Sequence, residues 1–185
     1  MRRLLLKKSA SQEAEKIMIS KLRTECGDVF TKKAEGMMRD LSESNEFMKE
    51  YLKVKGENPE GIETTFSVLS NSSWPISAVL KCNMPPQLER IQETFTQYYV
   101  GRHSGRCLQW CIQMGTCVIQ GRFNEGVIRQ MEMSAPQAVV LMQFASKECL
   151  SFDQLKESTG LEADELKKQL VSLVCMEHRP LTKHQ

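Results

Sequence analysis

Residues 95–110, FTQYYVGRHSGRCLQW, constrain the fold more than any other stretch of this chain. An aromatic helix end is followed by a basic turn with two glycines and then by an alternating strand pattern. Because glycine adopts backbone angles that other residues avoid, Gly101 and Gly105 predict a tight turn between the helix and the strand. The stretch therefore predicts a helix that leads directly to the edge of a sheet, in an α+β fold.

The first third of the chain is predicted to be helical. Apolar residues recur at helical spacing in three stripes, at 14–22, 30–41 and 47–52, and Gly27 separates the first two. Ser9 with Gln12 fits a capping box for the first helix. A helix hides one face only by packing on others, so the stripes indicate an incomplete helical bundle. We expect its partly exposed apolar residues to include Met37, Met38, Phe47 and Tyr51.

Residues 59–133 are predicted to form a small antiparallel α/β domain. Apolar residues alternate with polar ones at 64–69, 108–114, 116–123 and 127–133, which is the signal of half-buried strands. A helix that begins at the pair Pro85 and Pro86 separates the first of these strands from the others. With so few strands, at least one edge of the sheet is expected to stay open.

The last part of the chain, residues 134–185, has the pattern of a winged-helix domain. Capping boxes begin two helices, one at Ser134 with Gln137 and one at Ser151 with Gln154. Gly160 stops the second of these helices, and a third apolar helix follows. A helix, a glycine turn and another helix form the helix-turn-helix layout of winged-helix domains.

Composition narrows the classes of protein. The net charge of +2 gives no global basic field for nucleic acid or for an anionic membrane. The stretch MRRLLLKK has too short an apolar run for a secretory signal, and no window approaches the roughly 20 apolar residues of a membrane span. The seven cysteines include no CxxC pair, and an odd number of cysteines in a chain that lacks a secretory signal indicates reduced thiols and a cytoplasmic or nuclear location.

The residues predict neither an enzyme nor a cofactor site. No acidic residue adjoins His103 to orient it as a general base. A zinc site built from His103, Cys107, Cys111 and Cys117 is an alternative, but structural zinc ligands usually lie closer in sequence. Catalytic residues, metals and cofactors are therefore all predicted to be absent.

The helix-turn-helix raises nucleic-acid binding as an alternative function. Between Cys149 and Met176, three lysines stand against five acidic residues, a net charge of minus two. DNA affinity depends largely on basic contacts to phosphate. An acidic module is poorly suited to that task, so a winged-helix nucleic-acid-binding protein remains the second hypothesis.

Residues 95–110 resemble the signature of the cullin homology region, the scaffold part of cullin–RING ubiquitin ligases. Residues 8–41, KSASQEAEKIMISKLRTECGDVFTKKAEGMMRDL, and the pair Trp74 and Pro75 also resemble cullins. The resemblance covers nearly the whole chain and is nearest to the fourth-type cullins. It implies three domains: the end of the helical bundle at 1–58, a segment that binds a RING partner at 59–133, and the first winged helix at 134–185.

The resemblance implies a non-catalytic scaffold in ubiquitin-dependent protein degradation. In cullins a RING-box protein adds a strand to the α/β segment and recruits a ubiquitin-conjugating enzyme. Compared with a full cullin, the upstream adaptor-binding repeats and the downstream domain with the modifier-accepting lysine are lacking, so we expect either a fragment or an incomplete gene product, and the start at Met1 favours a fragment. No substrate, adaptor or edge strand is predicted. By position, the residues that would bind the RING-box protein are Phe66, Val68, Leu108, Trp110, Ile112, Val118 and Gln120.

Overall fold

The computed structural model describes residues 2–5, 11–56, 61–74, 76, 79–122, 128–145, 147–176 and 180–183. Its elements are α1 (Arg2–Leu5), α2 (Gln12–Cys26), α3 (Asp28–Lys55), α4 (Pro86–Arg102), β1 (Thr116–Arg122), β2 (Ile128–Ser134), α5 (Ala135–Met142), α6 (Phe152–Thr159) and α7 (Ala163–Val174). Among these residues, no helix is long and apolar enough to cross a membrane. The helix-rich fold with one small antiparallel sheet confirms the α+β class.

The chain divides into two compact units. Unit 1 consists of Met1–Ser77 with Gln97–Tyr99, and unit 2 consists of Ala78–Thr96 with Val100–Gln185. The three domains predicted from the sequence stay a prediction.

Two helices, α2 and α3, make up most of unit 1. Ser11 caps α2 by accepting a hydrogen bond from the backbone N–H of Ala14, and Gly27 ends α2 with a φ of 83°. The predicted cap residue Ser9 lies outside the described residues. The second and third apolar stripes lie on one 28-residue helix, α3, and not on two. Residues 42–46 join the stripes because SESNE contains neither glycine nor proline to interrupt a helix.

The exposed apolar side chains of unit 1 are not all those expected. Met38 and Tyr51 are buried, with Tyr51 only 2% exposed, while Met37 and Phe47 are half-buried. Tyr51 is covered because its ring packs at a steep angle against Phe66 and Tyr98. The well-exposed apolar residues of these helices instead lie on α2 and at both ends of α3: Ile17, Met18, Leu22, Val29, Phe30, Leu52 and Val54.

Residues 64–69 do not form the predicted strand. Their even-numbered members from 64 to 68 are half-buried, and Thr65 and Ser67 are exposed, so burial alternates as the sequence predicted. No described strand pairs with them. The backbone instead bonds to side chains of α3, which is why the residues are extended without belonging to a sheet.

The turn between helix and strand is only partly as predicted. Helix α4 begins at Pro86, as expected, and continues through Gly101. Of the two glycines predicted to form the turn, only Gly105 has a positive φ, of 77°, because Gly101 belongs to the helix. The prediction of a strand at 108–114 is wrong. Residues 107–111 are not paired with any described strand, and Ile112–Met114 form a 3₁₀ turn. That turn ends at Gly115, so the segment does not fold back on β1.

Unit 2 has one hydrophobic core shared by its hairpin and its helices. Strands β1 and β2 pair antiparallel, with Thr116 opposite Ser134 and Arg122 opposite Ile128. The predicted strand ends at Phe123 and Val127 lie outside the described residues. The inward hairpin side chains pack with α5, α6 and α7 in a cluster whose buried members are Met131, Met133, Ala138, Val140, Leu155, Leu161, Leu166 and Leu173.

The predicted helix signals of unit 2 are confirmed. Gln137 accepts a hydrogen bond from the backbone N–H of Ser134 at 2.8 Å, and Gln154 accepts one from Ser151 at 2.9 Å. Both capping boxes are therefore formed. Gly160 ends α6 with left-handed angles, and its amide donates to the carbonyl of Lys156. These local signals place the start of α5 and both ends of α6.

Candidate functional site

One face of α3 contacts the segment that follows it in unit 1. Gly36, Asp40 and Ser44 are spaced by four residues, and Tyr51 lies about two turns further along. Residues four apart share one face of a helix. We call this set the α3 stripe. The following segment runs antiparallel to the helix axis, so Tyr51 meets Phe66 while Gly36 meets Ser73.

Ser44 bonds the backbone of the extended segment in two places. Its hydroxyl oxygen accepts the N–H of Val68 at 2.7 Å, and its hydroxyl donates to the carbonyl oxygen of Phe66 at 3.4 Å. Ser44 is 4% exposed, so a partner for its hydroxyl matters, because a buried polar group without one is costly. One hydroxyl thus supplies both the acceptor and the donor that a neighbouring strand would offer.

Asp40 fixes the turn at the end of the same segment. Its Oδ2 accepts from the backbone N–H of Ser70 at 2.8 Å, from the Ser70 hydroxyl at 2.7 Å and from Nε1 of Trp74 at 2.9 Å. Trp74 is 1% exposed, so its indole N–H depends on this carboxylate. Gly36 completes the contact, since a Cβ there would lie 2.3 Å from the Ser73 hydroxyl oxygen.

The predicted partner-binding residues fall into both units. Phe66 and Val68 belong to unit 1 and are half-buried against the α3 stripe. In unit 2, Trp110 packs against Phe95 with ring centroids 6.0 Å apart. Leu108 is half-buried beside it in sequence. The structure does not test whether any of these residues contacts a partner, so their assignment stays a prediction.

The remaining predicted residues lie in or near the hairpin of unit 2. Ile112 begins the 3₁₀ turn and is half-buried. Val118, 65% exposed, and Gln120 lie on the outward face of β1, opposite Glu132 and Gln130 of β2. Because neither side chain belongs to the core, both are available on the surface of this unit.

Sequence reasoning missed the polar members of the α3 stripe. The apolar periodicity drew attention to Met37, Met38 and Leu41, while Asp40 and Ser44 have the composition of a solvated helix face. A signal was nevertheless present: Gly36, Asp40 and Ser44 recur at a strict spacing of four. Small and polar residues at that spacing on a long helix indicate a face that receives backbone at close range.

No described residues form a metal site. Within the described ranges, no group of three or more His, Cys, Asp and Glu side chains is placed to hold a metal ion. The zinc alternative at Cys107, Cys111 and Cys117 therefore gains no support. Burial raises the pKa of the Cys82, Cys111 and Cys117 thiols, which lowers their thiolate fraction at neutral pH. A nucleophilic cysteine needs the opposite shift.

Two family models match the chain. The model of the cullin alpha+beta domain matches residues 68–185, and the model of the cullin alpha solenoid domain matches residues 1–48. The first match alone covers more than half of the chain. The chain therefore belongs to the cullin family, as the resemblance predicted.

Curated relatives agree with this assignment. Cullin-4A from Mus musculus is 40% identical over 185 residues, which are 98% of this chain and 24% of that protein. Cullin-4A from Homo sapiens is 38% identical over 98% of this chain and 24% of that protein. Cullin-3A from Arabidopsis thaliana is 37% identical over 98% and 25%. The similarity to fourth-type cullins is confirmed, and the chain spans about a quarter of the length of these relatives.

Proposed function

We propose that this chain is part of the scaffold of a cullin–RING ubiquitin ligase and binds a RING-box protein. That partner recruits a ubiquitin-conjugating enzyme, so the complex serves ubiquitin-dependent protein degradation in the cytoplasm or the nucleus. The chain itself is non-catalytic and contributes positioning. Membership of the cullin family supports this function.

The extended segment 64–69 carries the proposal. It has the alternating burial of a strand, yet no described strand pairs with it. Strand addition requires such an extended segment, because an incoming strand supplies the missing backbone partners and places its side chains on alternate faces. A RING-box protein bound in this way is held mainly by main-chain hydrogen bonds, with Phe66 and Val68 as neighbouring apolar contacts.

The finer assignments belong to the same proposal. Leu108, Trp110, Ile112, Val118 and Gln120 are further contacts of the RING-box protein. The helices α5–α7 serve as a winged-helix domain that packs against protein. No observation favours nucleic-acid binding, so that alternative enters only as an outcome of the test.

Titration calorimetry of the full chain with purified RING-box protein tests the function. We expect submicromolar binding that Val118→Lys weakens about tenfold or more. Val171→Lys is the matched control, since Val171 on α7 is 63% exposed and Val118 is 65% exposed, so both variants should fold. Binding of duplex DNA in place of the RING-box protein by the folded chain would refute the proposal and favour the nucleic-acid alternative.

A further inference from the structure

An open groove lies between α2 and α3 in unit 1. Its volume is about 400 Å³, which is within the range of small-molecule sites in proteins. The side chains of Ile19 and Met38, 8% and 9% exposed, form its apolar floor. The other side chains that line it are polar or charged: Lys16, Ser20, Arg23, Glu35, Arg39 and Ser42. The groove therefore combines apolar surface with groups that can bind a charged ligand.

The charges of one pair of lining residues are already neutralised within the fold. Arg23 contacts Asp28, with Nε and Oδ1 2.6 Å apart, and its Nη1 lies 3.8 Å from Oε1 of Glu35. Glu35 also accepts a hydrogen bond from the hydroxyl of Thr31 at 3.0 Å. Because these groups bond to one another, we do not expect them to provide the main attraction for a ligand.

Two other cations of the groove lack such partners. Lys16 of α2 and Arg39 of α3 form no ion pair with any residue that the structure describes. Each helix also adds one hydroxyl, from Ser20 four residues after Lys16 and from Ser42 three residues after Arg39. Residues at these spacings share one face of a helix. Each of the two helices thus brings one cation and one hydroxyl to the same groove.

A phosphate group matches this set of four donors. The planar guanidinium of arginine bonds two phosphate oxygens at once, and an ammonium and hydroxyls add single bonds to the others. A carboxylate has only two oxygens in one plane, so it satisfies fewer donors that approach from two helices. The apolar floor beside the cations favours a phosphate that carries an apolar or aromatic body.

We propose that the groove between α2 and α3 binds a small organic phosphate, with Lys16 and Arg39 as the residues that hold the phosphate. Ser20 and Ser42 donate further hydrogen bonds, and the body of the ligand lies on the apolar floor. Such a ligand bonds to both helices at once, so its binding stabilises their packing in unit 1. The site does not depend on the RING-box protein, and a failure to bind that protein leaves this inference standing.

NMR titration of the full chain with phenyl phosphate tests the site. We expect saturable shifts of the backbone amides of Ser20, Arg39 and Ser42, with a Kd in the millimolar range or lower. Inorganic phosphate should bind about tenfold more weakly, because it buries no apolar surface. Absence of saturable shifts at these amides would overturn the proposal.

Benzoate tests the class of anion, because it carries the same ring with a carboxylate in place of the phosphate. We expect it to bind about tenfold more weakly than phenyl phosphate, since it satisfies fewer of the charged hydrogen bonds. Equal affinities for benzoate and phenyl phosphate would overturn the assignment to a phosphate.

Variants distinguish a bound phosphate from a general attraction to basic residues. Lys16→Gln and Arg39→Gln should each weaken the binding of phenyl phosphate about tenfold, the usual effect of losing one charged hydrogen bond. The controls Lys21→Gln and Lys32→Gln each remove an exposed lysine of the same helices that does not line the groove. They should change the affinity less than about twofold at physiological salt. Equal weakening in all four variants would overturn the site.

A conservative substitution and a stability measurement complete the test. Arg39→Lys keeps the charge but loses the paired N–H groups, so its affinity should fall between those of the unmodified chain and Arg39→Gln. Saturating phenyl phosphate should raise the midpoint of thermal unfolding of the unmodified chain more than that of Arg39→Gln. An equal rise in both would show that the ligand binds elsewhere and would overturn the proposal.

Discussion

The interiors of unit 1 and unit 2 are stabilised by different kinds of contact. In unit 2 the buried interior is apolar except for Thr159, and Val140, Leu166 and Leu173 are fully buried. In unit 1 the polar residues Thr31 and Ser44, 1% and 4% exposed, are buried in addition to apolar residues such as Met48 and Trp74. Ile17, Met18 and Leu22 of α2 and Val29 and Phe30 of α3 remain exposed.

The comparison distinguishes apolar burial, which stabilises a fold, from hydrogen bonds, which also fix the orientation of particular backbone groups. Burial of apolar area is non-directional and depends on area, so a closed core stabilises unit 2 without specifying an edge. Hydrogen bonds are directional and fix which backbone groups are occupied and which stay open. The α3 stripe therefore fixes which backbone groups of the extended segment in unit 1 are bonded.

The largest expected effect is in the core of unit 2. Leu166→Ala removes a side chain that is 0% exposed and should lower the free energy of unfolding by about 2–5 kcal/mol. Val171→Ala on the same helix is the control, since Val171 is 63% exposed and surface changes usually stay within about 0.5 kcal/mol. Urea denaturation measures both. Equal losses in the two variants would show that α7 is not anchored by this core.

The sequence was most informative where local chemistry decides structure. The capping boxes of Ser134 and Ser151 and the stop at Gly160 were found correctly because each depends on residues only a few positions apart. The strand at 64–69 was wrong for the opposite reason. Ser44, which bonds Val68, lies 24 residues away on a helix, and Asp40 lies 30 residues from its partner Ser70, which follows the segment. Alternation alone does not reveal which groups bond to the backbone of such a segment.

The candidate site was predictable only in outline. The resemblance led to Phe66 and Val68, which lie in the extended segment, but periodicity did not identify the residues that hold that segment. Apolar patterns report burial, whereas Asp40 and Ser44 act through hydrogen bonds whose geometry depends on the tertiary fold.

A smaller effect is expected at the close approach in unit 1. Gly36→Ala would place a Cβ 2.3 Å from the Ser73 hydroxyl oxygen and should cost about 1–3 kcal/mol, because the turn must shift. Gly101→Ala is the control: this helical glycine has open space around it, so alanine should stabilise by about 0.5–1 kcal/mol. Thermal denaturation measures both variants.

The double variant Gly36→Ala/Ser73→Gly makes the test specific. Removing the hydroxyl should recover most of the loss, because the clash is with that side chain. A loss that persists in the double variant would show that the contact of α3 with the turn does not depend on this approach.

Removing a helix cap in either unit should lower the free energy of unfolding by less than the substitutions above. Ser151→Ala breaks a reciprocal capping box of unit 2 and should cost about 1 kcal/mol. Ser11→Ala in unit 1 removes a single bond, to the N–H of Ala14, and should cost about half as much. Urea denaturation compares them. A larger loss for Ser11→Ala would reverse the expected order of the two units.

The smallest effect concerns the ion pair between Arg23 and Asp28 in unit 1, whose atoms Nε and Oδ1 lie 2.6 Å apart. The hydrogen bond from Arg23, and then its charge, hold the pKa of Asp28 below its ordinary value. A depressed carboxyl pKa stabilises the fold above the unfolded pKa of about 3.9, and this contribution is lost as pH falls through the folded value. Both side chains are more than half exposed, so salt should screen the pair.

NMR titration of Asp28 should give a higher pKa in Arg23→Gln than in the unmodified chain, with the difference shrinking at high salt. Lys21→Gln, a nearby exposed lysine on α2, should leave that pKa almost unchanged. If both variants gave the pKa of the unmodified chain, the bond would be negligible in solution, and the polar contacts that stabilise unit 1 would be confined to its buried face.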